Sequence, residues 1–321
     1  MAPKTPISLM HGSSANDLIR KESMSIDEET GEVTKAEQRT PLMRACQFGY
    51  FETCALLIKE KADVNNETPS GGSPLFFAAH GGHDRCVNLL LQEDAGRLAE
   101  GDRPPTGVHA VRKKDHYQPL MVAAAYGHPA VCNALLANDA DVNYRRPRPF
   151  FDTALMRASK FGRPEAVQVL LDRRPPAAEG AAAAFDGRPD GAPEAVNLTL
   201  HDGEGRQALH LAAENGHAEC VRMLVMAGGA AHANARVAGG EQGHALKGRT
   251  ALMMACDKGH EKVVRVLLHT EKLDLDAKCD DENGPKTAED YARAHSETKH
   301  LAALIEAKRK ERAQKEGPGS P

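Results

Sequence analysis

Along residues 40 to 65, TPLMRACQFGYFETCALLIKEKADVN, apolar positions recur three and four apart in two short runs, a spacing that predicts two helices rather than strands. Leu42, Ala45 and Cys46 mark one face of the first helix, and Cys54, Leu57 and Ile58 mark one face of the second. The polar positions supply the punctuation. Thr40 is placed to cap the first helix by accepting a backbone N–H, and Pro41 fits the first helical position, where its missing N–H costs nothing. Gly49 stands where a left-handed residue ends that helix. Lys59 and Lys61 fall near the negative end of the second helix, and Ala62, Asp63 and Asn65 turn the chain. Helices this short bury too little apolar surface to hold alone, so each pair requires a neighbour of its own kind.

The chain supplies those neighbours. TPLMRACQFG from 40 is followed by SPLFFAAHGG from 73, QPLMVAAAYG from 118, TALMRASKFG from 153, QALHLAAENG from 207 and TALMMACDKG from 250, with a worn seventh, TAEDYARAHS, from 287. Each intact unit continues into a second apolar run: ETCALLI, DRCVNLLL, AVCNALL, EAVQVLL, ECVRMLV and KVVRVLL. The first interval is 33 residues, and the later ones lengthen by insertion. Two insertions, 99 to 115 and 237 to 249, lie between a second helix and the next first helix. The longest, 173 to 195, is Ala, Pro and Gly with little to bury, which predicts a mobile loop. Residues 24 to 38, MSIDEETGEVTKAEQ, predict a short hairpin. Residues 5 to 22 read either as a degenerate capping repeat or as an irregular tail. At the C-terminus Leu301, Leu304 and Ile305 share a face, and KRKERAQKE, with Glu306–Lys310 and Glu311–Lys315 at pairing distance in sequence, predicts a last helix that runs on into solvent.

These units resemble ankyrin repeats. The T-P-L-H-x-A start, the Gly-His pairs (Gly82-His83, Gly127-His128, Gly216-His217, Gly259-His260), the V-x-x-L-L second helix and the closing Asp63-Val64-Asn65 and Asp141-Val142-Asn143 carry the resemblance over roughly residues 40 to 307. It implies an all-α ankyrin-repeat solenoid of stacked helix-turn-helix units with hairpin-like fingers: six intact repeats and degenerate caps. Residues 1–39 would form an N-terminal tail and 308–321 a charged C-terminal tail. The family's His in the first helix, which bonds near the Thr cap and ties repeats together, survives here only as His210. Met43, Phe76, Met121, Met156 and Met253 stand in its place and are expected to fill space without that bond. The resemblance further implies a non-enzymatic scaffold or adaptor that binds another protein through the concave surface of fingers and first helices. A regulatory subunit acting on an enzyme in trans and a nucleic-acid binder working through basic fingers are the other two readings.

Composition narrows this further. Of 321 residues 41% are apolar and 27% charged, but only 4% are aromatic and Trp is absent, so the core should be thin and built of Ala, Leu and Val. A net charge of -4 is too mild to require nucleic acid or an anionic membrane. No apolar run reaches the length of a membrane span and the N-terminus lacks a signal-peptide core, which predicts a soluble cytoplasmic chain, with the Lys308 to Lys310 run as weak support for a nuclear address. Six of seven cysteines take apolar repeat positions and read as small buried hydrophobes, with Cys279 expected to be exposed; Asn197-Leu198-Thr199 reads as a chance glycosylation match. Five of the fifteen histidines belong to repeat positions, His217 and Cys220 stand three apart but no second pair with zinc spacing accompanies them, and neither a P-loop nor G-x-S-x-G occurs. No enzyme, metal, cofactor or small-molecule substrate is therefore expected, and the chain is expected to be a monomer.

The candidate binding residues are basic and aromatic. Arg112, Lys113 and Lys114 precede the third repeat; Arg145, Arg146 and Arg148 precede the fourth at the same place in the unit. Tyr117, Tyr144, Phe150 and Phe151 are interleaved with them, and Arg157, Lys160 and Phe161 lie on the following first helix. Such an arginine–aromatic mixture is what binding surfaces enrich, and it predicts one exposed basic site for an acidic partner segment.

Overall fold

The computed structural model describes residues 24–26, 33–35, 38–99, 107–172, 195–239, 246–281, 284–294 and 296–315. They fall into two compact units, Met1–Asp141 and Val142–Pro321.

In the first unit, β1 (Met24–Ile26) pairs antiparallel with β2 (Val33–Lys35), Met24 facing Lys35, where the sequence pattern places a hairpin. Three helix pairs follow: α1 (Pro41–Phe48) with α2 (Phe51–Lys59), α3 (Pro74–Gly81) with α4 (Asp84–Ala99), and α5 (Pro119–Tyr126) with α6 (Pro129–Ala137). First helices stack on first helices and second on second, leaving between them a core that includes Leu42, Met43, Leu75, Leu120, Val131 and Leu135. Burying each such Leu contributes about 2 kcal/mol. The predicted punctuation is present. The Thr40 hydroxyl accepts from Met43 N at 3.2 Å, Pro41 opens α1, and Gly49 closes it at φ 71°. That glycine serves twice, because a Cβ there would strike the imidazole of His83, whose Nε2 lies 3.1 Å from Gln47 O. The same contact recurs between His128 and His80 O at 3.1 Å. The Gly82-His83 pair therefore gives its glycine to His128 of the next repeat and its histidine to Gly49 of the previous one. Buried thiols run across this core: Cys46 Sγ lies 3.6 Å from Cys54 Sγ, which lies 3.9 Å from Cys86 Sγ. Contact with Cys46 and burial push the Cys54 thiol up. Burial alone holds Cys132 up to about 12.

The second unit repeats the plan with α7 (Ala154–Lys160) and α8 (Pro164–Leu171), α9 (Ala208–Glu214) and α10 (Ala218–Ala233), and α11 (Ala251–Asp257) and α12 (Glu261–Leu268). A short hairpin, β3 (Cys279–Asp281) with β4 (Gly284–Lys286), leads into α13 (Ala288–Ala294) and, after a 3-10 turn at Ser296–Thr298, α14 (Lys299–Lys315). The worn seventh repeat thus keeps both its helices. His217 and His260 place Nε2 at 3.0 Å from Lys160 O and 2.9 Å from Glu214 O, continuing the Gly-His contacts within this unit.

Several expectations need correction. Cys279 is buried at 3% exposure, its Sγ 3.3 Å from the Tyr291 hydroxyl, because β3 carries it under α13. The methionines in the histidine slot do more than fill space: Met43 Sδ accepts from Thr40 N and Met253 Sδ from Thr250 N, each at 3.4 Å, since a thioether is a weak acceptor. Only the second bond of His210, from Nε2 to Ala235 O at 3.0 Å, ties one segment to another. Nor does the last helix run free into solvent. Arg312 donates to Leu273 O and Thr270 O at 2.5 and 3.0 Å, and Arg309 to Glu289 and Asp276 at 2.9 and 2.8 Å. Glu306 pairs with Arg293 at 2.5 Å rather than with Lys310, while Glu311 and Lys315 do meet, at 2.7 Å. Residues 5 to 22, read as a capping repeat or a tail, the expected mobile loop apart from Ala195, and the middles of both long insertions, 100–106 and 240–245, lie outside the described residues.

Candidate functional site

The fourth repeat, the first of the second unit, brings most of the candidate residues together. Its finger, residues 144–152, closes on itself through Arg146 N to Asp152 O at 3.1 Å and Phe150 N to Pro147 O at 3.2 Å, then enters α7 through the Thr153 cap. Asp152 sits at the base. Its carboxylate lies between Arg146, with Nε 3.4 Å from Oδ1, and Arg157, with Nη1 3.7 Å from Oδ2. Oδ1 makes no hydrogen bond, so its attraction to Arg146 is Coulombic. Burial raises the Asp152 carboxyl above the usual range, and the two guanidinium groups pull it back only in part.

Two predicted site residues are therefore not surface charges: Arg146 is 3% exposed and Arg157 9%. Their role is to hold rings. The Arg146 guanidinium lies 3.9 Å from the Phe150 ring centroid, and that of Arg157 lies 4.7 Å from Phe161. Arg145 lies 5.1 Å from Phe151 and donates to His201 O at 2.8 Å. With a cation behind them, Phe150 and Phe161 still show 50% and 40% of their surface to solvent. Arg148 and Lys160 are exposed beside these rings, and Tyr144 is half-buried.

The fingers of this unit are joined by backbone bonds. Gly203 N donates to Phe150 O at 2.9 Å and Ala238 N to Gly205 O at 2.9 Å, and Gly203 is required because a Cβ would collide with Pro149 O. Beyond the finger lies an acidic group that the sequence reading missed. Arg206 is shared by Asp202 at 2.9 Å, Glu204 at 3.1 Å and Glu214 at 3.0 Å. Burial by itself lowers the Arg206 pKa, and the three carboxylates more than offset it. A signal for this group was available by aligning the repeats: Arg39, Arg206 and Arg249, each just before a cap, hold the side chain eight residues on, Gln47 at 2.6 Å, Glu214 at 3.0 Å and Asp257 at 3.3 Å.

The remaining candidates belong to the first unit. Arg112 pairs with Asp115 at 3.1 Å and lies 5.1 Å from the Phe76 ring, Lys113 pairs with Glu67 at 2.8 Å, and Lys114 is exposed. Tyr117, expected at the surface, is buried at 7% because it leads directly into α5. The thirteen candidates are thus divided between the units, four in the first and nine in the second. Among the described residues no group of three or more His, Cys, Asp or Glu is arranged to hold a metal ion, and no helix is long and apolar enough to cross a membrane.

Helix pairs stacked through their first helices, with the fingers of the second unit joined by backbone bonds, define a helical repeat protein. The comparisons specify which kind: the profile described as "Ankyrin repeats (3 copies)" matches residues 9–102, 42–146, 98–179, 120–237 and 180–279, and the chain belongs to the ankyrin-repeat family. The solved ankyrin repeat domain of human ASB11 superposes with a TM-score of 0.60 at 23% identity, over 88% of this chain and 100% of that one. Among curated relatives, the Arabidopsis thaliana E3 ubiquitin-protein ligase XBAT33 is 40% identical over 33% of this chain. The Caenorhabditis elegans homologue of transient receptor potential cation channel subfamily A member 1 is 27% identical over 59%. The chain spans only 17% and 15% of the length of those two proteins.

Proposed function

We propose that this chain is an adaptor or scaffold, binding a segment of another protein on the finger and first-helix surface of its fourth repeat. The observation that carries the reading is the pair of exposed rings, Phe150 and Phe161, each backed by a buried guanidinium. Interfaces draw most of their energy from a few rigid aromatic and arginine groups, and a ring fixed before binding loses little entropy on contact. Arg148 and Lys160 beside the rings favour a partner that brings carboxylates.

Nucleic-acid binding is the weaker reading, since Arg146 and Arg157 are turned inward on Asp152 instead of outward toward phosphate. A regulatory subunit would use the same surface. The ligase chemistry named for XBAT33 is not carried over, because the similarity covers a minor part of that protein. Seven free, buried thiols suit the reducing cytoplasm. To test the binding reading, wild-type and Phe150→Ala/Phe161→Ala proteins are immobilised at equal density and the captured proteins quantified. The double variant should lose most of the specific captures while melting within about 2 °C of wild type, because both side chains are already solvent-exposed. Equal capture by both proteins would move the site elsewhere.

A further inference from the structure

We propose that the second unit recognises a segment of divided charge, carboxylates over the fourth repeat and a cationic side chain over the fifth, with apolar residues between them on Phe150 and Phe161. This rests on the protein-binding reading above and adds the chemistry of what is bound.

The argument begins with an inverted pair. Where the first, fifth and sixth repeats place an arginine before the cap and a carboxylate or amide eight residues on, the fourth has Asp152 and Lys160. Asp152 turns inward to Arg146 and Arg157, so Lys160 keeps no carboxylate among the described residues, and its ammonium stands exposed 5.9 Å from the Phe161 ring. The next repeat is the reverse. One guanidinium, Arg206, serves three carboxylates, and the Glu204 side chain is 44% exposed. A surplus of positive charge and a surplus of negative charge therefore stand on adjacent repeats.

These two surpluses are held side by side. His217 Nε2 donates to Lys160 O at 3.0 Å, and Gly203 N to Phe150 O at 2.9 Å. α7 packs directly on α9. Packed helices lie about 8–10 Å apart, and an extended chain advances about 3.3 Å per residue. A segment crossing both repeats thus presents its acidic and basic residues about three positions apart. A uniformly acidic segment would meet Glu204 and Glu214, a uniformly basic one Lys160 and Arg148, and like charges so placed repel. Nor would the rings take the cation, since each already has one on its inner face.

The test uses the full chain and three fluorescein-labelled hexapeptides, each with two central leucines: one flanked by two glutamates and two lysines, one by four glutamates, one by four lysines. Anisotropy at low salt should show the divided peptide binding about fivefold tighter than either uniform one, as exposed ion pairs contribute a factor of two to five each. Glu204→Lys should switch the preference to the glutamate peptide, and Lys160→Glu to the lysine peptide, with unchanged circular dichroism. A glutamate peptide that binds wild type as well as the divided one overturns the charge pattern but leaves the protein-binding reading standing. So does the absence of peptide binding where protein capture still depends on Phe150 and Phe161. Divided-peptide binding that ignores both charge reversals and the loss of both rings overturns the two together.

Discussion

His210 occupies a slot that four sister repeats fill with methionine, and the difference sets a pH response. Its Nδ1 faces Gln207 N at 3.2 Å and so must accept, which leaves the proton on Nε2 to be donated to Ala235 O. The ring is fully buried, and burial holds its pKa down to about 4, from 6.5. The unfolded chain therefore takes up a proton that the folded chain refuses. The contribution of His210 is complete above pH 6.5 and declines as the pH falls toward 4, by about 3 kcal/mol in all. His210→Met should flatten the melting temperature of the second unit across that window, as followed by calorimetry between pH 4 and 7; a slope as steep as wild type's would assign the effect to another group. Asp152 makes a second prediction at this scale. Asp152→Ala leaves two buried guanidinium groups without their shared carboxylate, which should cost about 3–5 kcal/mol in denaturant unfolding. A loss below about 1 kcal/mol would mean that water reaches the cluster.

At the scale of elements, the fingers are tied by side-chain amides as well as by backbone. Asn143 donates to Ala195 O at 2.9 Å and accepts from Asn197 N at 2.8 Å; Asn234 donates to Lys272 O at 2.9 Å and accepts from Asp274 N at 2.7 Å. Each amide bonds a carbonyl and an N–H two residues apart, as a neighbouring strand would, and so holds the start of the next finger in register. Asn143 closes the D-V-N turn noted in the sequence, but its reach to the following repeat is visible only in three dimensions. Asn234→Ala should therefore lower stability by about 1–2 kcal/mol, the net worth of two partly exposed bonds. Hydrogen exchange should quicken at Asp274 while Asn197 keeps its protection. Equal acceleration at both amides would show that the rungs fail together.

On the scale of the whole molecule, a repeat array needs its end covered, and α14 does this for the second unit. Leu301 and Ile305 are fully buried, whereas Lys308, Glu311 and Lys315 pair on the outer face at 3.0 and 2.7 Å. Those two lysines hold the Glu311 carboxyl down at about 2. Arg312 reaches back to the turn after α12, a pair of charge-assisted bonds to carbonyls. Arg312→Ala should cost about 2 kcal/mol and lower the melting temperature of the unit by several degrees. An unchanged melting curve would mean that Leu301 and Ile305 hold the helix unaided.

The sequence determined the repeat, its caps and its core, because these rest on local features that recur along the chain: the cap bond of Thr40 to Met43, repeated at Ser73, Thr153 and Thr250, Gly49 after α1, and Leu57 on the inner face of α2. The family followed from that recurrence. The basic and aromatic residues of the site were legible as a list, but their roles were not. Whether Arg146 and Arg157 point to solvent or behind a ring depends on where Asp152 falls when the finger closes. Whether Cys279 is exposed depends on α13 packing over β3. Whether the last helix runs free depends on carbonyls some forty residues earlier in the chain. Local spacing fixes which face of a helix is apolar; only the packed structure decides which charge meets which, because Coulombic and desolvation energies depend on distance and burial that no linear interval records.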